Sequence, residues 1–185
     1  GQIGSRHLQA LKAVNMPLKI LVIDPAQASL ETAKSRYEAV PSGEFTHSLN
    51  FVDSFPKTIG EVDLAIVATS SDNRADVMRR LFKLAKVKNL VLEKFLFQKP
   101  RDYKDTARLL KKTKTKTWVN CCMRMMSPYQ AVKSAFTGRK IFYNVSGSQF
   151  GLVTNAIHYI DHLAYLIGSN DFEVFTDFLD KQPIS

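Results

Sequence analysis

The feature that most constrains this chain is an alternation of four apolar, strand-length runs with segments of helical period. LKILVID ending at Asp24, VDLAIVATS from Val62 to Ser70, KNLVLEKFLF around Glu93 and KTWVNCCM from Lys116 are near-continuous in apolar residues. Strands covered by helices on both faces read this way. Between them, HLQALKAV places Leu8, Leu11 and Val14 at helical spacing, and SLETAKSRYEAV starts at Ser29 as its N-cap and breaks at Pro41-Ser42-Gly43. SDNRADVMRRLFKLAK, opened by Ser71 or Asp72, and RDYKDTARLLKKTK supply two further helices, and EFTHSLNFVDSF reads as a weak strand and loop. The order predicts an α/β fold with a doubly wound, Rossmann-type parallel sheet. Such sheets bind ligands outside the carboxyl ends of their strands, where Asp24, Ala68-Thr69-Ser70 and Glu93-Lys94 fall.

The opening GQIGSRH has Gly1 and Gly4 spaced as the second and third glycines of G-x-G-x-x-G, with Asp24 twenty residues beyond Gly4. In that turn, backbone N–H groups and the helix N-terminus face a pyrophosphate, and the later acid accepts from ribose hydroxyls. Gly1, Gln2, Ile3, Gly4, Asp24, Ala68, Thr69, Ser70, Glu93 and Lys94 are therefore the expected cofactor residues. Asp24 favours NAD over its 2′-phosphorylated form, while Lys34 and Arg36 leave NADP open. The motif calls for a strand ahead of Gly1, so the chain is expected to be a fragment.

From Pro128 the texture changes. The helical SPYQAVKSAF, the strand-like RKIFYNVSGSQF, the amphipathic GLVTNAIHYIDHLAYLIG closed by Gly168 and a further strand in EVFTDFLD suggest a second, α+β domain with an open sheet, cut off at Ser185. The expected division is 1–122 for dinucleotide binding and 123–185 for substrate and oligomer contacts.

The net charge of +9 is concentrated partly in Lys111, Lys112, Lys114 and Lys116, at the end of a predicted helix where cations complement the dipole. With no interleaved aromatics and no nucleic-acid motif, these read as a solvated face rather than a nucleic-acid surface. No apolar run reaches the roughly 18 residues of a membrane span, so no membrane partner is expected. The two cysteines, Cys121 and Cys122, are adjacent, with no metal-ligand spacing, which points to a reducing, cytoplasmic setting and no metal.

Lys94 ends an otherwise apolar strand, placing an ammonium where it could polarise a substrate oxygen or exchange a proton; paired with Glu93 alone, it is equally a strand-end ion pair. On the later helix, Thr154, Asn155, His158 and Asp161 share one face, with His162 one turn beyond His158. A histidine there is a ready acid or base, or a structural partner of Asp161.

GQIGSRHLQAL, Glu93-Lys94, NCCMRMMSPY with Arg124, and NAIHYIDHLAYLIG stand in the order in which the glucose–fructose oxidoreductase / inositol dehydrogenase / rhizopine-catabolism (Gfo/Idh/MocA) family has them, and the chain resembles that family over nearly its whole length. The resemblance implies an NAD(P)-dependent oxidoreductase that transfers a hydride between nicotinamide and a sugar, sugar derivative or nucleotide-sugar, and a homo-oligomer. It implies Lys94 and His158 as catalytic residues with Asp161 in support, and Arg124, Thr154, Asn155 and His158 as substrate-binding residues. Two positions depart from the family pattern: Phe95 stands where Glu-Lys is usually followed by Pro, and Thr154 where an acid often precedes the histidine by four. These departures keep a non-catalytic dinucleotide-binding sensor or scaffold as the alternative.

Overall fold

A computed structural model describes residues 1–136, 138–149, 151–175 and 177. The chain divides into two compact units, Gly1–Asn120 and Cys121–Ser185.

The first unit runs α1 (Gln2–Leu11), β1 (Lys19–Ile23), α2 (Gln27–Glu38), β2 (Ser48–Val52), β3 (Gly60–Val67), α3 (Arg74–Leu84), β4 (Ala85–Leu92), α4 (Pro100–Thr113) and β5 (Lys116–Val119). Every strand pair is parallel: β1 pairs with β2, and β4 lies between β3 and β5. The doubly wound reading holds, as two separate parallel ladders, β1-β2 and β3-β4-β5. The helix expected to start at Ser29 begins one turn earlier, with Ala26 at its N-cap. The next helix starts at Arg74, after Asn73, rather than at Ser71 or Asp72, and neither N-cap side chain bonds an N–H of its own helix.

The core lies where α3 covers β3 and β4. Ala75, Met78 and Leu81 recur every third residue along α3 and pack against Val67, Val87, Leu90, Leu92 and Phe97. On the neighbouring pair, α1 buries Ser5 and Leu8 and α2 buries Leu30 and Ala33. Lys12 extends the α1 stripe by one turn and is 9% exposed. Its Nζ donates to the carbonyls of Tyr37 (2.9 Å) and Val40 and lies 4.8 Å from the Tyr37 ring centre, so it caps the end of α2. Lys12→Met keeps the apolar stem and removes both bonds. We expect it to lower the unfolding free energy by about 1.5 kcal/mol in urea titration.

The second unit consists, among the described residues, of a 3₁₀ turn (Cys122–Met125), α5 (Ser127–Phe136) and α6 (Leu152–Ile167). The strand expected over RKIFYNVSGSQF is not formed: residues 140–147 have no regular structure. A strand exists only against a partner, and these residues have no ladder neighbour among the described residues. Of EVFTDFLD, residues 173–175 likewise lack regular structure, and most of the rest lies outside the described residues. Gly168 closes α6 in the left-handed region, φ +71°, as its sequence position implied.

Candidate active site at the carboxyl edge of the sheet

Register sets the edge. Val67 stands opposite Leu92, and Leu92 opposite Val119, so the chain leaves β3, β4 and β5 at one level with Ala68, Glu93 and Asn120. The ladder runs one step further, with Glu93 N donating to Val67 O and Asn120 N to Leu92 O. At the other ladder, Asp24 follows β1 and its N–H donates to Val52 O.

One face of α1 touches two of these ends. A Cβ placed on Gly4 would lie 3.7 Å from the Cβ of Ala68, an ordinary contact, so close helix–strand packing here would also admit alanine. His7 Nε2 lies 2.7 Å from Glu93 Oε1. Residues 4 and 7 share a helix face, and that face meets the ends of β3 and β4.

Glu93 is 6% exposed and accepts on the same Oε1 from Asn120 Nδ2 at 2.6 Å. Burial pushes its carboxyl up. The bonds from His7 and Asn120, the charge of His7 and the N–H of Lys94 outweigh burial and hold it below the usual carboxylate range. Glu93 was expected at the cofactor; the structure commits its carboxylate to His7 and Asn120, so its visible role is to anchor the strand end. The next residue, Lys94, is half-buried.

Asp24 is partly exposed and also accepts from Ala26 N at 3.0 Å. Burial raises its pKa, and the bonds to the Gly1 amino group, Ala26 and Ser29 bring it below the ordinary value. Arg36, read as an open route to NADP, donates to Ser5 Oγ at 2.7 Å and to Gln2 O at 3.4 Å, bracing α2 against the start of α1.

The segment after β3 is held by a residue the sequence reading did not single out. Arg74, 2% exposed, donates through Nη1 to the carbonyls of Glu93 (2.6 Å), Phe95 (2.5 Å) and Leu96 (2.9 Å), and through Nη2 to that of Thr69. A sequence signal existed: Arg74 lies four residues before Met78 and seven before Leu81, a basic residue on the apolar stripe of α3. His7 was likewise legible as Gly1 plus six. Asn120 had no signal beyond ending a strand.

In the second unit, Arg124 grips Asp161 with two nitrogens: Nε donates to Oδ2 at 2.8 Å, and Nη2 to Oδ1 and, at 3.3 Å, to the main-chain oxygen. Arg124, expected at the substrate, and Asp161, expected to support His158, are therefore each other's partners. Hydrogen bonding from Asp161 outweighs burial and holds the Arg124 guanidinium above its usual value. The Thr154 hydroxyl donates to Gly151 O at 3.0 Å in the first turn of α6, and Asn155 and His158 are half-buried along the helix. His162 is 4% exposed, with Nδ1 3.0 Å from the Tyr143 hydroxyl, and burial lowers its pKa against the opposing charge of Asp161. Lys94 belongs to the first unit and His158 to the second.

Residues 1–121 match the model of the Gfo/Idh/MocA oxidoreductase family, which has an NAD-binding Rossmann fold. The chain belongs to that family. Among solved structures it is similar to the WlbA (WbpB) dehydrogenase of Thermus thermophilus, seen with NAD and α-ketoglutarate: 20% identity, TM-score 0.59, covering 91% of this chain and 60% of that one. The same dehydrogenase with NAD and UDP-GlcNAcA gives 21% identity, TM-score 0.59 and the same coverage. An oxidoreductase from Agrobacterium radiobacter, solved with NAD+, L-tartaric acid and magnesium, gives 16% identity and TM-score 0.57, covering 90% of this chain and 52% of that one. The chain thus spans 52–60% of the length of these structures. No curated protein matches it.

The Gfo/Idh/MocA fold carries NAD, and this edge fits a dinucleotide on its own evidence. The first turn of α1 leaves backbone N–H groups without helical partners. Asp24 offers an ionised carboxylate beside them. At the end of β3, Thr69 Oγ1 is buried without a hydrogen-bond partner among the described residues, a hydroxyl suited to a ligand's polar group. Among the described residues no group of three His, Cys, Asp or Glu side chains could hold a metal ion, and no helix is long and apolar enough to cross a membrane.

Proposed function

We propose that the protein is an NAD-dependent oxidoreductase acting on a hydroxyl or carbonyl of a sugar, sugar derivative or nucleotide-sugar. The observation that carries the reading is the α1 face on which Gly4 meets Ala68 and His7 meets Glu93, beside the buried Thr69 Oγ1 that has no hydrogen-bond partner among the described residues. It ties the end suited to pyrophosphate and ribose to the strand end that bears Lys94. When bound, the nicotinamide supplies the hydride acceptor or donor. Asp24 binds the adenosine ribose hydroxyls and repels a 2′-phosphate; with Arg36 engaged by Ser5, the preference is for NAD. Lys94 polarises the reacting oxygen, and His158 exchanges its proton. Arg124 holds Asp161, one turn beyond His158 on α6, and so supports that helix. The roles of Lys94 and His158 rest on their family order and on each residue's own surroundings. The ligands bound in the Thermus structure, NAD and UDP-GlcNAcA, support the cofactor and a nucleotide-sugar among the substrates. We also propose residues 1–122 as the cofactor part, 123–185 as the substrate and oligomer part, and a cytoplasmic homo-oligomer.

Titration calorimetry tests the cofactor half. Asp24→Ala is expected to weaken NADH about tenfold and to narrow the gap to NADPH, since one charge-assisted bond and one repulsion are lost. Unchanged NADH affinity would remove Asp24 from the site. Thr154, which stands where an acid often precedes the histidine by four and whose hydroxyl donates to Gly151 O, favours the second reading, a non-catalytic dinucleotide sensor. Binding of NADH without turnover on a panel of sugars and nucleotide-sugars decides for it.

A further inference from the structure

The loop from Glu93 to Phe97 carries Lys94, and Phe95 gives it no proline to pre-set its backbone. A lysine on a loose loop is poorly placed for a reacting oxygen, because displacement of a catalytic group by about an ångström costs roughly a hundredfold in rate. This chain has another restraint. The guanidinium of Arg74 gathers the carbonyls of residues 93, 95 and 96, passing over that of Lys94, while its other terminal nitrogen takes Thr69 on the neighbouring strand end.

Among the described residues, the bonds of this guanidinium go to main-chain oxygens. A curl of carbonyls around one fixed cation defines the path of the loop whatever side chains it bears. Arginine suits this because its planar fork donates in several directions and stays charged when buried. The bracket is reinforced on both sides. Phe97 is 3% exposed, its N–H lies 3.4 Å from the Tyr103 hydroxyl, and its ring meets the Tyr103 ring edge-on. Gln98 Nε2 donates to Ser71 Oγ at 3.2 Å, a second tie between the two strand-end loops.

We propose that Arg74 is the positioning residue for Lys94, holding the 93–97 loop and the Thr69 strand end in one fixed arrangement in place of the missing proline. The inference rests on the reading of Lys94 as the reacting lysine, but its physical content is tested without turnover.

Hydrogen–deuterium exchange on the whole chain, resolved by peptide, is measured for the native protein, Arg74→Lys and Arg74→Ala. Lys94 acetylation is followed relative to that of Lys111 on α4. Exchange over 94–97 is expected to rise about tenfold or more in both variants while residues 87–92 of β4 keep their protection, and Lys94 acetylation is expected to change at least about threefold. Millimolar guanidinium is expected to restore protection in Arg74→Ala. Unchanged exchange over 94–97 overturns the proposal, and so does an equal rise throughout β3, β4 and β5, the mark of general loosening. Should both variants fail to fold, nitrogen-resolved NMR of the native protein decides: slowly exchanging Arg74 Nη protons support the bracket, and rapidly exchanging ones overturn it. Lys94→Met separately tests the underlying reading, since a native turnover rate in that variant sinks the role of Lys94 and leaves the exchange result standing.

Discussion

Lys94→Met is expected to lower turnover by about two to four orders of magnitude while leaving NADH affinity within about threefold. The split follows from where the residue sits. Affinity for the dinucleotide is proposed to come from the start of α1 and from Asp24 after β1, whereas Lys94 follows β4. Methionine preserves most of the side chain's length and apolar stem. What it removes is the ammonium that would sit on the reacting oxygen, an interaction that strengthens as charge develops there. Single-turnover hydride transfer followed at the nicotinamide absorbance, beside fluorescence titration of NADH, separates the two quantities. A rate equal to that of the native protein removes Lys94 from the chemistry. Equal losses in rate and in NADH affinity would instead assign it to cofactor binding.

Much of the scaffold around that lysine is legible in the sequence because it rests on local patterns. Apolar runs of strand length and stripes of three- and four-residue spacing specify the parallel order, and the same runs mark where the chain leaves the sheet at Asp24, Ala68 and Glu93. The contacts made at that edge are another matter. Glu93 is anchored by His7, 86 positions earlier, and by Asn120, 27 later. The terminal nitrogens of Arg74 bond carbonyls, which every residue possesses and no pattern distinguishes. Helix starts were missed by several residues because Ser29 and Ser71 resemble caps, yet neither helix uses a side-chain cap. The strand expected over residues 139–150 failed for a related reason: alternation describes a face, while a strand also needs a neighbour. Asp161 was paired with the histidine on its own helix by spacing, and the bidentate arginine from the preceding 3₁₀ turn is a partner that helix spacing has no means to show.

The anchoring of Glu93 leads to the second large effect. Glu93→Ala is expected to lower the unfolding free energy by about 3 kcal/mol at neutral pH, because it leaves the donors of His7 and Asn120 without their shared acceptor at a largely buried site. Glu93→Gln separates charge from shape. It keeps an oxygen for both donors and loses only the negative charge, so its deficit at neutral pH should be smaller and should depend on acidity. The sign follows from the direction of the shift. The folded carboxyl is held below its usual value, so the ionised group stabilises the fold above the unfolded pKa of about 4.3. That contribution fades as pH falls through the lower, folded value, once the native carboxyl also takes up its proton. Glutamine has nothing to titrate. The gap in unfolding free energy between native protein and Glu93→Gln should therefore be full at pH 7, shrink below the unfolded pKa and close at the acid end. Urea titrations of both proteins across that range measure it directly. A gap independent of pH would mean that packing, and not the charge shared with His7 and Asn120, holds the strand end that presents Lys94.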